Sequence, residues 1–184
     1  MAIFLSSFLN KVDKKGRVSV PASFRGVLAK DSPEGVASSV IVFRSLQFSA
    51  LEACSPEHMD RLAETLDQMD IPPEEKDLFQ ATIFAGSIQL GIDAEGRILI
   101  PQDMLDFAGI TEQASFVANN KTFQIWEPAA HAARMEEARK LSRAAGLSLS
   151  SISLSGRRPA AAATLCAQGC RARERLGWTE TSCV

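Results

Sequence analysis

The amino-acid sequence predicts a mainly β protein with short helices, an α+β chain built from two tandem, related β modules. Three observations carry this expectation. A nine-residue pattern occurs twice, as DKKGRVSVP from Asp13 and DAEGRILIP from Asp93, with Asp, Gly, Arg and Pro at the same offsets. Around and after each copy, apolar and polar residues alternate between turn-forming residues, as in half-buried strands. Beyond the proline of each copy, apolar residues recur at helical spacing.

In the first copy, FLNKV and RVSV read as two short strands around a polar bend, and the strand reading extends back into the opening MAIFLSS. Gly16 is the bend residue able to take a positive φ without penalty. Asp13 suits an Asx-type turn, accepting hydrogen bonds from bend amides. Pro21 stops the strand and fits the first turn of a helix, in which Phe24, Val27 and Leu28 share one face. The second copy follows the first at an offset of 80: Ile88, Ile92, Asp93, Gly96, Arg97, Ile98, Ile100 and Pro101, then Met104, Phe107 and Ala108 on the helix face. Asp93 and Gly96 thus have the bend-structuring roles of Asp13 and Gly16.

A hairpin follows each copy, Val40 to Leu51 and Ser115 to Glu127, and Asn119-Asn120 marks the second turn. Phe123 and Ile125 share a face, and Trp126 reads as a packing residue. Helix 56–69 places Met59, Leu62, Leu66 and Met69 inward before Pro72-Pro73 breaks it, and EEKDLFQATIF forms a second helical stretch. The expected boundaries are 1–54 for the first module, 55–83 for a helical connector, 84–128 for the second module, 129–145 for a C-terminal helix and 146–184 for an atypical, disordered tail. A module of about 50 residues exposes one apolar face when alone. Two copies cover each other about a pseudo-two-fold axis.

Charge is unevenly spread over the 184 residues. The net charge of −2 divides into +5 for residues 1–30, −13 for 31–138 and +6 for 139–184. A basic patch on an acidic body steers one face toward phosphates. No apolar run reaches the ~20 residues of a membrane span, and a cytoplasmic protein is expected. The scattered Cys54, Cys166, Cys170 and Cys183 read as free thiols, with no metal set. No catalytic constellation stands out: Cys54 and His58 are four apart without an orienting third group. No enzyme, cofactor or small-molecule substrate is expected.

The paired Asp13-to-Arg17 and Asp93-to-Arg97 motifs resemble the DxxxR motifs of the MraZ family, bacterial transcriptional regulators encoded at the head of the division and cell-wall gene cluster. FLSSFLNKVDKKGRVSVPASFR, ALEACSPEHMDRL, GRILIP and FQIWEP all fit, so the resemblance covers residues 1 to about 141. It implies an AbrB-like swapped-hairpin β barrel, present twice per chain. It also implies a nucleoid-associated, closed-ring homo-oligomer that binds repeated G-rich elements in double-stranded promoter DNA and represses its own operon.

The chemistry of the bends agrees with that implication. Lys14 and Lys15 suit phosphate neutralisation, and Arg17 offers a fork to guanine O6 and N7. Lys11, Arg25 and Arg97 complete the candidate DNA-binding set, Arg25 by reaching the backbone. Against this, an Asp–Arg pair across a bend is often only structural. That reading weighs more at Arg97, whose surroundings 84–109 carry a net −3, than at Arg17, and Lys11 also fits a solvated strand face. The competing functional readings are an antitoxin-like module of the same fold whose main partner is a protein, an enzyme, and a structural ring without a DNA role. The Arg-, Ala- and Ser-rich tail after about residue 142 departs from the family and reads like a shifted frame.

Overall fold

The repeat strands pair across the two halves of the chain, so neither half completes its own sheet. β1 (Ser7–Lys11) runs antiparallel to β7 (Gln113–Asn119), with Phe8 opposite Phe116. Its counterpart β5 (Ile88–Gly91) runs antiparallel to β3 (Ser39–Arg44), with Leu90 opposite Val40. β4 (Leu51–Cys54) and β8 (Thr122–Trp126) complete a six-stranded sheet of order β1-β7-β8-β4-β3-β5. β2 (Arg17–Ser19) and β6 (Arg97–Leu99) form a separate two-stranded ribbon. Both ladders that join like to like are centred on the pseudo-two-fold, at Val18 opposite Ile98 and at Glu52 opposite Gln124. This is the α+β architecture expected, mixed in its helix and strand content, and its exchanged strands are those of a swapped hairpin. The computed structural model describes residues 3–32 and 39–146. The expectations for the tail from residue 147 onward lie outside the described residues.

Helices connect successive strand pairs and follow the last strand. α1 (Ala22–Lys30) and α4 (Gln102–Ala108) each follow a proline, and α4 stops at Gly109, whose φ of +66° is the left-handed C-terminal turn glycine favours. α2 (Pro56–Gln68) is capped by Ser55, whose Oγ accepts the His58 N–H at 3.2 Å. α3 (Pro73–Phe79) runs directly into a π-helical turn, Gln80–Phe84. The chain divides into two units, Met1–Ala132 and Ala133–Val184, and α5 (Pro128–Ala144) carries the boundary. None of α5 is buried, and the pairs Arg134–Glu137 and Lys140–Glu136 lie along it.

One continuous core runs through the first unit. Val18 and Val20 of the first half meet Ile98 and Ile100 of the second, each 1% exposed. Phe24 lies at the centre of an aromatic cluster, with Phe4, Phe8 and Phe123 ring centroids 5.1, 5.5 and 5.1 Å away. A smaller cluster of Phe43, Cys54 and Met59 sits under α2 and the π-helical turn, with Ile83 and Phe84 packed against it.

Three expectations need correction. The opening strand starts later than expected: among the described residues Ile3 to Ser6 are outside it and β1 starts at Ser7, after Ser6 takes a φ of +76°, although Phe4 N–H still reaches the Asn120 carbonyl at 2.8 Å. Met69 terminates α2 and is exposed, because the helix ends before its side chain completes the inward face. Phe107 is exposed under the Arg44 guanidinium, 5.7 Å from the ring centroid, and Leu105 fills the buried position instead. The tight turn expected at Asn119-Asn120 is present: Asn119 ends β7 opposite Thr122, and Asn120 takes the positive φ, +58°.

Because the core is shared, loss of one half's centre unfolds both. Phe24→Ala is expected to cost about 3–5 kcal/mol. Urea denaturation followed by far-UV circular dichroism and tryptophan fluorescence should show one coincident transition at a lower midpoint. Two separated transitions would contradict the shared core.

Candidate nucleic-acid interface

The two bends lie at opposite ends of the β2–β6 ribbon and are built alike. In the first, the Asp13 carbonyl accepts the Gly16 N–H at 2.9 Å, closing a four-residue turn, and the Asp13 N–H donates to the Arg17 carbonyl at 2.9 Å. Asp13 Oδ1 accepts the N–H groups of Lys15 and Arg17 at 2.8 and 2.9 Å. Asp13 Oδ2 accepts Arg17 Nε at 2.7 Å. One carboxylate therefore accepts two of the bend's amides and aims the arginine. These donors hold the Asp13 pKa at about 2, the Arg17 amide contributing most and the Arg17 side chain and Lys15 amide adding to it.

Gly16 is required twice over. Its φ is +82°, and a Cβ there would stand 2.6 Å from the Ile100 carbonyl oxygen. That close approach is what lets the Ile100 N–H reach the Gly16 carbonyl at 3.0 Å, while Val20 N–H reaches the Gly96 carbonyl at 2.9 Å. The bends thus clasp the ends of the ribbon reciprocally. Asn10 adds a tie from β1, its Nδ2 donating to the Ser19 carbonyl at 2.7 Å; the sequence offered no signal for this beyond a polar residue in the strand.

The second bend repeats the bonding. Asp93 Oδ1 accepts the N–H groups of Glu95 and Arg97, each at 2.9 Å, and Oδ2 accepts Arg97 Nε at 2.9 Å. The Asp93 pKa is lowered, chiefly by the Arg97 amide. What differs is the outer edge. Arg97 Nη1 also pairs with Glu95 Oε2 at 2.6 Å. Arg97 is held protonated more firmly than an ordinary arginine, by its bond to Asp93 first and then by the charges of Asp93, Glu95 and Asp13.

The other candidates divide between the two ends. Lys14 and Lys15 project from the first turn, exposed and without an ion pair among the described residues. Lys11 ends β1, exposed, just before that turn. Arg25 lies at the other end: its guanidinium covers Gly96, where any Cβ would collide with it. Leu105, its counterpart 80 residues on, packs over the Gly16 position at 3.3 Å. Arg25 Nε is buried without a hydrogen-bond partner. The placement of Arg25 on the second bend was not legible in the sequence, since helical spacing gives a face and not the neighbour it meets.

Elsewhere burial governs the shifted groups Cys54 and His58. Burial, with the charge of Glu52, pushes the Cys54 thiol up to about 12, the reverse of nucleophile activation. Burial also lowers the His58 pKa, with Arg61 adding to the effect. No group of three metal-ligating side chains occurs among the described residues. No helix among them is long and apolar enough to cross a membrane.

Comparison with known proteins places the chain among regulators. A family model described as "MraZ protein, putative antitoxin-like" matches residues 83–148. A protein of Rickettsia akari named "Transcriptional regulator MraZ" is 40% identical over 141 residues, covering 77% of this chain and 92% of its own length. Its namesake in Rickettsia rickettsii is 40% identical over 149 residues, with 81% and 97% covered. That of Rickettsia canadensis is 42% identical over 128 residues, with 70% and 83% covered.

The Asp13 carboxylate gives the first bend a defined acid limit. Its folded pKa lies below the unfolded value, so its contribution to stability is fully present above the ordinary carboxylate range and is lost as pH falls through about 2. A carboxyl-detected NMR titration should place the Asp13 midpoint near 2 and that of Asp93 below an ordinary aspartate. Asp13→Asn should abolish the first and leave the second; an ordinary midpoint at Asp13 would show that the bend bonds do not persist in solution.

Proposed function

This chain belongs to the MraZ family of transcriptional regulators, which are not enzymes, and on that premise we propose that it reads double-stranded promoter DNA through its first bend. The observation that carries this is the unequal charge of two equal bends. Lys14 and Lys15 stand exposed beside an Arg17 whose Nε is anchored by Asp13, which leaves the outer guanidinium edge for a base. Arg17 forks onto guanine O6 and N7, which suits G-rich elements, while Lys14, Lys15 and Lys11 neutralise phosphates. Asp13, Gly16, Asp93 and Gly96 shape the bends. Arg25 and Arg97 belong to the weaker, second end.

One strongly charged bend per subunit binds weakly alone, and linked copies gain by effective concentration. A closed ring of subunits, set on repeated elements upstream of its own division and cell-wall operon, supplies that linkage and represses by occupying the promoter. Among the described residues the outer strands of the sheet, β1 and β5, have no strand partner on their outer sides; Leu9 and Ile88 are exposed on them and Leu5 just before β1, which suits a subunit contact. Action on the operon places the protein in the cytoplasm, on the nucleoid. An antitoxin-like role, with a protein as main partner, is the second reading, favoured by the wording of the matched family description.

Fluorescence anisotropy with DNA from upstream of the protein's own gene tests the proposal. Arg17→Ala should weaken binding by roughly tenfold or more and erase preference over a scrambled duplex. Lys14→Ala/Lys15→Ala should weaken binding to both duplexes and reduce the salt slope by about 2. Binding that is equal on both duplexes and indifferent to Arg17 would rule the reading out.

A further inference from the structure

Arg17 and Arg97 occupy equivalent places on the β2–β6 ladder, opposite Leu99 and Ser19, and their Nε atoms are anchored alike. Their outer edges are not alike. Arg97 Nη1 is taken by Glu95 Oε2 at 2.6 Å. At the equivalent position the first bend has Lys15, and Arg17 makes no second ion pair among the described residues. A carboxylate on a guanidinium edge fills the place that a phosphate or a guanine would take. The residues Asp13 to Arg17 carry a net +2, and Asp93 to Arg97 a net −1.

We propose that Glu95 is an internal occupant of the DNA-facing edge of Arg97, which limits each subunit to one reading bend. This rests on the DNA role of the first bend and adds to it a residue that sets how many bends a subunit uses. The pseudo-two-fold gives the idea a directional consequence. With one competent bend, each subunit reads one element in one sense, so a series of subunits matches direct repeats. With Glu95 removed, the antiparallel β2–β6 pair presents two competent bends of opposite sense, and a subunit matches an inverted pair. Arg25 over Gly96 supplies a further positive charge at this end, which adds to the attraction for phosphate once Glu95 is removed. Exposed ion pairs of this kind are weak and salt-screened, so Glu95 acts mainly by repelling phosphate and by occupying the arginine edge.

The test uses the full chain, the upstream duplex and a salt series. Arg97→Ala should weaken binding much less than Arg17→Ala, because the Arg97 edge is already occupied, while Glu95→Lys should tighten binding by roughly tenfold at 0.1 M salt, as one added phosphate contact does. Adding Arg97→Ala to Glu95→Lys should remove the part of the gain that an inverted-pair duplex shows over a direct-repeat duplex. Glu64→Lys on α2 makes the same charge change away from the bends and should not favour the inverted pair. The proposal is overturned if Arg97→Ala is as damaging as Arg17→Ala, or if Glu95→Lys binds no better than Glu64→Lys. Should the wild type fail to bind, or bind without regard to Arg17, the DNA reading itself falls, and NMR of arginine guanidinium rotation still decides the contact: slow for Arg97 in wild type and fast in Glu95→Gln supports occupancy, and fast in both refutes it.

Discussion

Everything in this molecule depends on a three-pair ladder. Arg17, Val18 and Ser19 meet Leu99, Ile98 and Arg97, and the ladder is extended at each end by a hydrogen bond to a glycine carbonyl. Neither strand is long enough to stand by itself, and each is supplied by a different half of the chain. Pairing them buries Val18 and Ile98 back to back and closes one core over both halves. It also fixes where the bends point, since each bend is the turn immediately before one of these strands. The strand exchange of β1 with β7 and β5 with β3 ties the same halves a second time. A duplicated sequence thereby becomes a single two-fold unit.

On that symmetric scaffold the chemistry is unsymmetric. The backbone and aspartate bonds of the two bends agree within 0.2 Å in every equivalent pair. Geometry therefore does not distinguish them. Side-chain identity at three places does: Lys14 against Ala94, Lys15 against Glu95, and Leu105 against Arg25. The structural half of the motif, Asp, Gly and Arg, serves folding at both ends. The variable half decides which end meets an anionic partner. This separation explains how an Asp–Arg pair can be structural in both bends and still leave one arginine edge open.

Much of this was legible in the sequence because it is local. The Asp-to-Gly spacing of each bend, the proline before α1 and α4, and the apolar periodicity of β8 are determined by residues within a few positions of one another. What was not legible is what depends on partners far along the chain. That β1 pairs with β7 was implied only by the family resemblance, since no alternation pattern names its partner strand. Phe107 has the spacing of a core residue, yet Arg44 from β3 covers it at the surface. Met69 has the spacing of an inward residue, yet the helix ends first. At the site, the Glu95–Arg97 pair was visible as a charge difference but not as a contact, and Arg25 was assigned to its helix without the bend it covers.

The central claim is that one bend of two faces the DNA. Its most direct test is photo-cross-linking, with a photoreactive amino acid placed at position 14 or, in a separate protein, at its counterpart 94, each bound to DNA from upstream of the gene. The account predicts protein–DNA adducts from position 14 and essentially none from position 94. Equal yields from the two positions, or adducts from position 94 alone, would contradict it.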